Sequence, residues 1–320
     1  MQMIAGTLSP YFKRLHARLA SWRLTLRRRL LACLPFVVVE RVALASWLVQ
    51  SVFDGRLRAT GVSRYETGRI DVGLARTHAL RTMSANVREA WLDERIYAGR
   101  ALQQDAWPDL RAAAQQLASR IKQIKAKEPG RVVVLSPFHY VSQYANIYVV
   151  DEVRRALGLE SMAVVSGVPR DIYGNDAAMI PSIRVLNTYD ENGRESRNGL
   201  GLRVIRALRR DGVAVVFSDV PPFTLAKFPM ETVGVKIGGR HARVHNGVFR
   251  IGAPMDALLL PFYLSFEKGR FNVRAFEPVA LADAAAPQRL ADDIETARRE
   301  NYPHWLYAGH PSVYHFAAAR

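Results

Sequence analysis

From Pro129 onward the chain alternates short apolar runs with helix-like stretches. That rhythm restricts the fold to an α/β layer architecture with a largely parallel sheet. The runs are Val132–Leu135, Met162–Ser166, Arg184–Leu186, Val213–Phe217, Gly234–Ile237, Ala257–Phe262 and Phe271–Phe276. Helices are expected over Ser142–Leu157, near Asp176–Ser182, and over Arg197–Asp211, Asn246–Gly252 and Asp292–Asn301, with Gly212 as the C′ glycine that stops one of them. The expected fold class is therefore α/β, with a mixed, mostly parallel sheet flanked by helices and an N-terminal basic helical region.

Ahead of the alternation the pattern is different. Residues 1–31 carry Lys13, Arg14, Arg18, Arg23, Arg27, Arg28 and Arg29 with no acidic residue, and Phe12, Leu15, Leu19, Trp22, Leu26 and Leu30 recur at steps of three and four. A helix gathers these apolar groups into one stripe beside the arginines, which is the pattern of an interfacial membrane helix; packing against a core uses the same pattern. The apolar stretch Leu30–Phe53 is interrupted by Glu40 and Arg41. Placing that pair in hydrocarbon costs roughly 5 kcal/mol, and neither flank alone reaches the roughly 20 residues of a span, so a peripheral protein is expected. Residues 54–76 read as a polar connector containing Gly55, Gly61, Gly68 and Gly73, followed by helices over Arg76–Leu102 and 107–127. The division is 1–53 as a membrane-associating basic and apolar helical region, 54–128 as a helical connector on the core, and 129–320 as the α/β domain.

A net charge of +16 on 320 residues calls for a polyanionic neighbour: nucleic acid, an anionic bilayer or an acidic carrier protein. Charge alone does not choose among them, but no nucleic-acid motif or aromatic–basic interleaving is found in the core, so nucleic acid is the least favoured. The single Cys33 excludes an internal disulfide framework and a multi-cysteine zinc site, which fits the cytoplasm. There is no P-loop and no G-x-S-x-G elbow, and Gly199-Leu200-Gly201 lacks the third glycine of a dinucleotide fingerprint. His304, His310 and His315 are spaced by six and five, which does not put two imidazoles on one helical face for a metal.

His139 stands apart. It follows the run Val132–Leu135 and the loop Ser136-Pro137-Phe138, and it precedes a helix. Reactive groups in open α/β sheets collect beyond such strand ends. A histidine there is placed for proton chemistry; the alternative is a plain hydrogen bond at a strand end.

Several blocks, in order, resemble the lysophospholipid acyltransferase-like superfamily, in particular its lipid A biosynthesis lauroyl/myristoyl acyltransferase branch. They are the strand leading to His139; Val168-Pro169-Arg170 through Arg184; Leu202–Asp219; Val235–Gly247 with Arg240; Gly252–Pro254 and Leu259–Tyr263; and Glu295, Arg298, Pro303 and Trp305. The resemblance spans about residues 130 to 310. It implies acyl transfer from an acyl carrier protein or coenzyme A thioester to a hydroxyl or amine. His139 would be the general base, and no tightly bound cofactor or metal would be involved. The protein would sit on the inner face of the cell membrane, with the acyl carrier protein and an anionic membrane surface as partners.

The chain departs from the family's H-x-x-x-x-D/E motif, because the fifth residue after His139 is Tyr144 and no acid follows until Asp151. Gln143 or Tyr144 could accept a hydrogen bond from the ring but supply no charge, whereas Asp219 supplies one from another strand end. Three readings follow: an acyltransferase with a neutral orienter, one with Asp219 as the distant acid, or a non-catalytic relative that binds lipids or acyl carriers. Arg170, Arg184 and Arg240 are expected to bind phosphate on the donor or headgroup, or else to form surface ion pairs. Asp219 could equally cap the turn before Pro221-Pro222. Tyr140, Tyr144, Tyr148 and Tyr173 line an acyl tunnel or pack in the core.

Overall fold

The computed structural model describes residues 22, 25–26, 28–102, 107–166, 183–187, 199–222, 231–309 and 314–315. The expected helix near 176–182, together with Arg170, Tyr173 and Phe12, Leu15 and Leu19 of the amphipathic stripe, lies outside them, whereas Trp22, Leu26 and Leu30 of that stripe are helical and exposed.

The α/β expectation holds. A seven-stranded sheet runs in the order β3-β2-β4-β1-β7-β8, where β1 is Val133–Pro137, β2 Met162–Ser166, β3 Ile183–Asn187, β4 Val213–Val216, β7 Leu258–Glu267 and β8 Arg270–Ala275. β9 (Val279–Ala280) also pairs with β7. The pairs β1–β4, β1–β7, β2–β3 and β2–β4 are parallel, and only β8 and β9 run against β7. All five residues of β1 are buried, which is why they form an unbroken apolar and small-residue run rather than an alternating one. Gly212 ends α7 (Leu200–Asp211) in the left-handed conformation, its N–H returning to the Leu208 carbonyl.

Separate from this sheet, β5 (Thr232–Ile237) and β6 (Arg240–His245) form an antiparallel hairpin. The second hairpin strand was not expected: Arg240, His241, Arg243 and His245 leave little apolar signal, and the strand forms by pairing with β5 while burying only Ala242 and Val244.

Helices α1 (Phe36–Phe53), α2 (Gly55–Val72), α3 (Ala79–Met83), α4 (Ala85–Ala101) and α5 (Pro108–Lys127) precede β1. α6 (Gln143–Ala156), α7, α8 (Gly247–Gly252) and α9 (Ala286–Asn301) follow between and after the strands. Side chains of the early helices, among them Val39, Leu92, Ile96, Leu110 and Leu117, share one continuous buried cluster with the strands. α1 buries Val39, Ala43, Trp47 and Ser51, spaced by fours, while Val49, Val52 and Phe53 are exposed. By length and composition α1 is long and apolar enough to cross a membrane, the one such helix among the described residues.

The reading of 54–76 as a polar connector is overturned, because most of it is α2. Asp54 accepts the Arg56 and Leu57 N–H groups and so starts the helix, and Gly73, at φ 67°, ends it. Its internal glycines serve contact rather than flexibility. A Cβ at Gly61 would sit 2.8 Å from the Met83 carbonyl oxygen, and one at Gly68 would sit 2.5 Å from the Tyr302 ring. The cost of two helical glycines, about 1 kcal/mol each, is the cost of that close approach.

Candidate active site

β1 and β4 are hydrogen-bonded neighbours, so the residues that leave their carboxyl ends meet. Ser136 and Ser218 join the two exits side chain to side chain, Oγ to Oγ at 2.5 Å. One step further on, His139 Nδ1 lies 2.7 Å from Asp219 Oδ1, and the His139 backbone N–H donates to Asp219 Oδ2, also at 2.7 Å. Asp219 is 1% exposed and His139 8%. The far side of Asp219 is fixed as well, since the Tyr314 hydroxyl donates to its carbonyl oxygen at 2.5 Å. Burial first, and then the Asp219 charge, push the Tyr314 phenol well above its ordinary pKa, so it keeps the proton that it donates.

An ionised carboxylate only accepts hydrogen bonds, so with Asp219 ionised Nδ1 carries a proton, and in the neutral ring Nε2 then holds the lone pair. The imidazole is thus held in one tautomer with its basic nitrogen directed away from the acid. Phe217 and Tyr307 flank the ring, with centroids 4.7 and 4.9 Å from its own.

The substitutes expected nearer in sequence do other work. Tyr144, in the first turn of α6, gives its backbone N–H to Asp93 and packs its ring edge-on against Tyr97. Gln143 leaves its Oε1 buried without a hydrogen-bond partner. Asp151, the first acid downstream of His139, is fully buried and takes Arg100, Arg154 and Arg155 at 2.7, 2.9 and 3.1 Å. Tyr140 and Tyr148 are fully buried, which is core packing.

Of the three nominated arginines, Arg240 projects from the hairpin with its side chain 61% exposed, 3.6 Å from Asp71. Arg184 lies on β3, and its side chain, like all of Arg170, is outside the described residues. His304 is buried beside Arg88 and Asn301, and His315 lies against the His241 carbonyl. Among the described residues no cluster of potential metal ligands exists.

Two acids close to the site were not anticipated. Glu89 and Asp93 sit one turn apart on α4, and Asp93 accepts both the Ser142 hydroxyl and the Tyr144 N–H. Burial raises Asp93 to about 6, against the pull of those two hydrogen bonds. Burial and then the Asp93 charge raise Glu89 to about 8. Their four-residue spacing was visible in the sequence, but nothing there said that this face of α4 meets the start of α6.

Tyr140 pairs with Trp305 in an isolated β-bridge, so the Pro303 and Trp305 segment lies directly against the histidine loop. No protein-family model matches the chain, and no curated protein matches it.

Proposed function

We infer that this chain is an acyltransferase of lysophospholipid acyltransferase-like architecture. It moves a fatty acyl group from an acyl carrier protein or coenzyme A thioester to a hydroxyl or amine. The observation that carries the reading is the 2.7 Å contact of His139 Nδ1 with Asp219 at the ends of two adjacent parallel strands. It makes up for the acid absent at position 144, because a base needs an orienting partner more than it needs that partner at a given spacing.

In the proposed reaction His139 Nε2 takes the proton of the acceptor O–H or N–H as that heteroatom attacks the thioester carbonyl. Asp219 stabilises the imidazolium so formed. The tetrahedral intermediate then expels the thiolate, which recovers the proton from Nε2, and the ester or amide leaves with the histidine neutral again. Arg170, Arg184 and Arg240 are the proposed phosphate contacts, and no resident metal or cofactor enters any step.

The proposed location is the cytoplasmic membrane surface, with the exposed face of α1 (Val49, Val52, Phe53) on the bilayer. Glu40, on the same helix, is engaged inside the protein by Arg81 and Arg88, each at 3.1 Å, which favours lying on the membrane over crossing it. The acidic carrier protein and the anionic lipid both answer the +16 charge.

The test compares wild type with His139→Ala by mass spectrometry of products from mixed acyl thioesters and candidate acceptors. Loss of product with donor binding retained is expected. Equal acylation by both proteins rejects His139 as the base. For the membrane, glutamate at Val49, Val52 and Phe53 is expected to abolish pelleting with anionic liposomes, and unchanged pelleting rejects that face.

A further inference from the structure

α2 presents Gly61, Arg64 and Gly68 on its one buried face, spaced three and four apart. The glycines bring that face close to its neighbours, and Arg64, 2% exposed, extends between them. Its guanidinium donates to the Trp305 carbonyl at 2.8 Å, to the Leu306 carbonyl at 3.4 Å and to Asn86 Oδ1 at 2.7 Å. Arg88, on α4 and 4% exposed, donates to the Pro303 carbonyl at 3.2 Å and to Glu40 at 3.1 Å. It also approaches His304 Nε2 at 3.4 Å. Arg298 lies over the Trp305 ring at 4.9 Å. Arginines from three helices therefore converge on residues 303–306.

The other side of that segment holds the histidine loop. Leu306 N–H donates to the His139 carbonyl at 2.9 Å, and Val141 N–H donates to the His304 carbonyl at 2.8 Å. Val141 has φ 66°, a region that a β-branched residue rarely occupies. Such strain persists only where the surroundings over-determine it. The bond to His304 is such a restraint, two residues from the base.

We propose that Arg64 and Arg88 are positioning residues for His139, acting through the backbone of Pro303–Leu306 to hold the histidine loop in its strained, Asp219-facing conformation. The inference rests on His139 being the base of the reaction above. Burial lowers both guanidinium groups to about 10, so both remain charged at neutral pH. A buried cation aimed at carbonyls is a costly way to gain stability, since apolar packing does as well or better. What it adds is direction, because a planar fork fixes two acceptors at once.

The experiment uses the full chain with ¹⁵N-labelled histidine and follows the Nδ1 proton of His139, assigned by its disappearance in Asp219→Asn. In Arg64→Lys and Arg88→Lys, which keep the charge and lose the fork, that resonance is expected to broaden or shift. The kcat of acyl transfer should fall about 10- to 100-fold with KM within about twofold, the effect of misplacing a reacting group by a fraction of an ångström to an ångström. Asn86→Ala, which loosens Arg64 from an exposed position, is expected to show the same change in smaller measure, and it decides the matter if either lysine variant fails to fold. A folded variant with the wild-type resonance and wild-type kcat overturns the proposal. If the wild type transfers no acyl group from any thioester, the reaction fails but the resonance still reports whether the arginines position His139.

Discussion

His139 and Arg64 are both almost withdrawn from water and both touch the Pro303–Leu306 region, yet they differ in what removing a partner does. His139 faces one carboxylate, and without Asp219 it can stand as a neutral imidazole. The cations of the helical layer have no such escape: a guanidinium does not give up its proton in a protein, so removing Glu40 leaves Arg88 a buried cation. The strand-end pair is thus a place where function can be lost with the fold intact, and the helical layer a place where the fold itself is at risk.

The sharpest break of that contrast is Asp219→Asn. Acyl transfer is expected to fall by about 10³- to 10⁴-fold, the scale of losing the orienting acid of a catalytic histidine, while the urea midpoint stays near wild type. Glu40→Ala should do the reverse. Leaving Arg88 buried without its carboxylate costs about 3 kcal/mol in urea unfolding, and activity per folded molecule falls less than in the first variant. A large loss of stability from Asp219→Asn, or none from Glu40→Ala, would erase the distinction.

Smaller in size is a pH effect. The folded chain holds a proton on Glu89 up to about pH 8, whereas the unfolded chain releases it near pH 4.5. Stability from this group therefore falls as pH rises through that window and is gone above it. Glu89→Gln is expected to flatten this slope and to raise the thermal midpoint at pH 8 by roughly 3 °C, about 2 kcal/mol. Asp93 adds the same sign between about pH 4 and 6. His304 opposes it, because burial holds its folded pKa well below 6.5 and stability is lost as pH falls through 6.5. The smallest effect on stability belongs to Arg240→Ala. Its pair with Asp71 is long and solvent-screened, so stability changes by less than about 0.5 kcal/mol. A rise in KM for the thioester in this variant then isolates a phosphate contact, and an unchanged KM removes Arg240 from the site.

Much of the frame was legible. β2 matched its expected bounds, and β1, β3, β4 and α6 fell within one or two residues of theirs, because buried parallel strands are short apolar runs bounded by turns. α2 was misread because glycine in a sequence signals a break, while here Gly61 and Gly68 admit Met83 and Tyr302. β6 was missed because it pairs with β5 and buries only Ala242 and Val244 among charged and histidine neighbours, too short an apolar alternation to stand out. In the site, His139 and Asp219 could each be named from their strand ends, but Ser136, Ser218, Glu89 and Asp93 carried no pattern that set them apart.

The sequence by itself determined the alternating α/β frame and the place of His139 at the mouth of a strand, since both are encoded in local periodicity. Which residue faces the histidine was decided only in three dimensions. The partner is Asp219, eighty residues away, because β4 inserts beside β1 while β2 and β3 lie further out. Strand order across crossover connections is a property of packing and leaves no local trace. The same is true of Arg64 and Arg88, whose charge was plain in the sequence and whose burial against residues 303–306 was not.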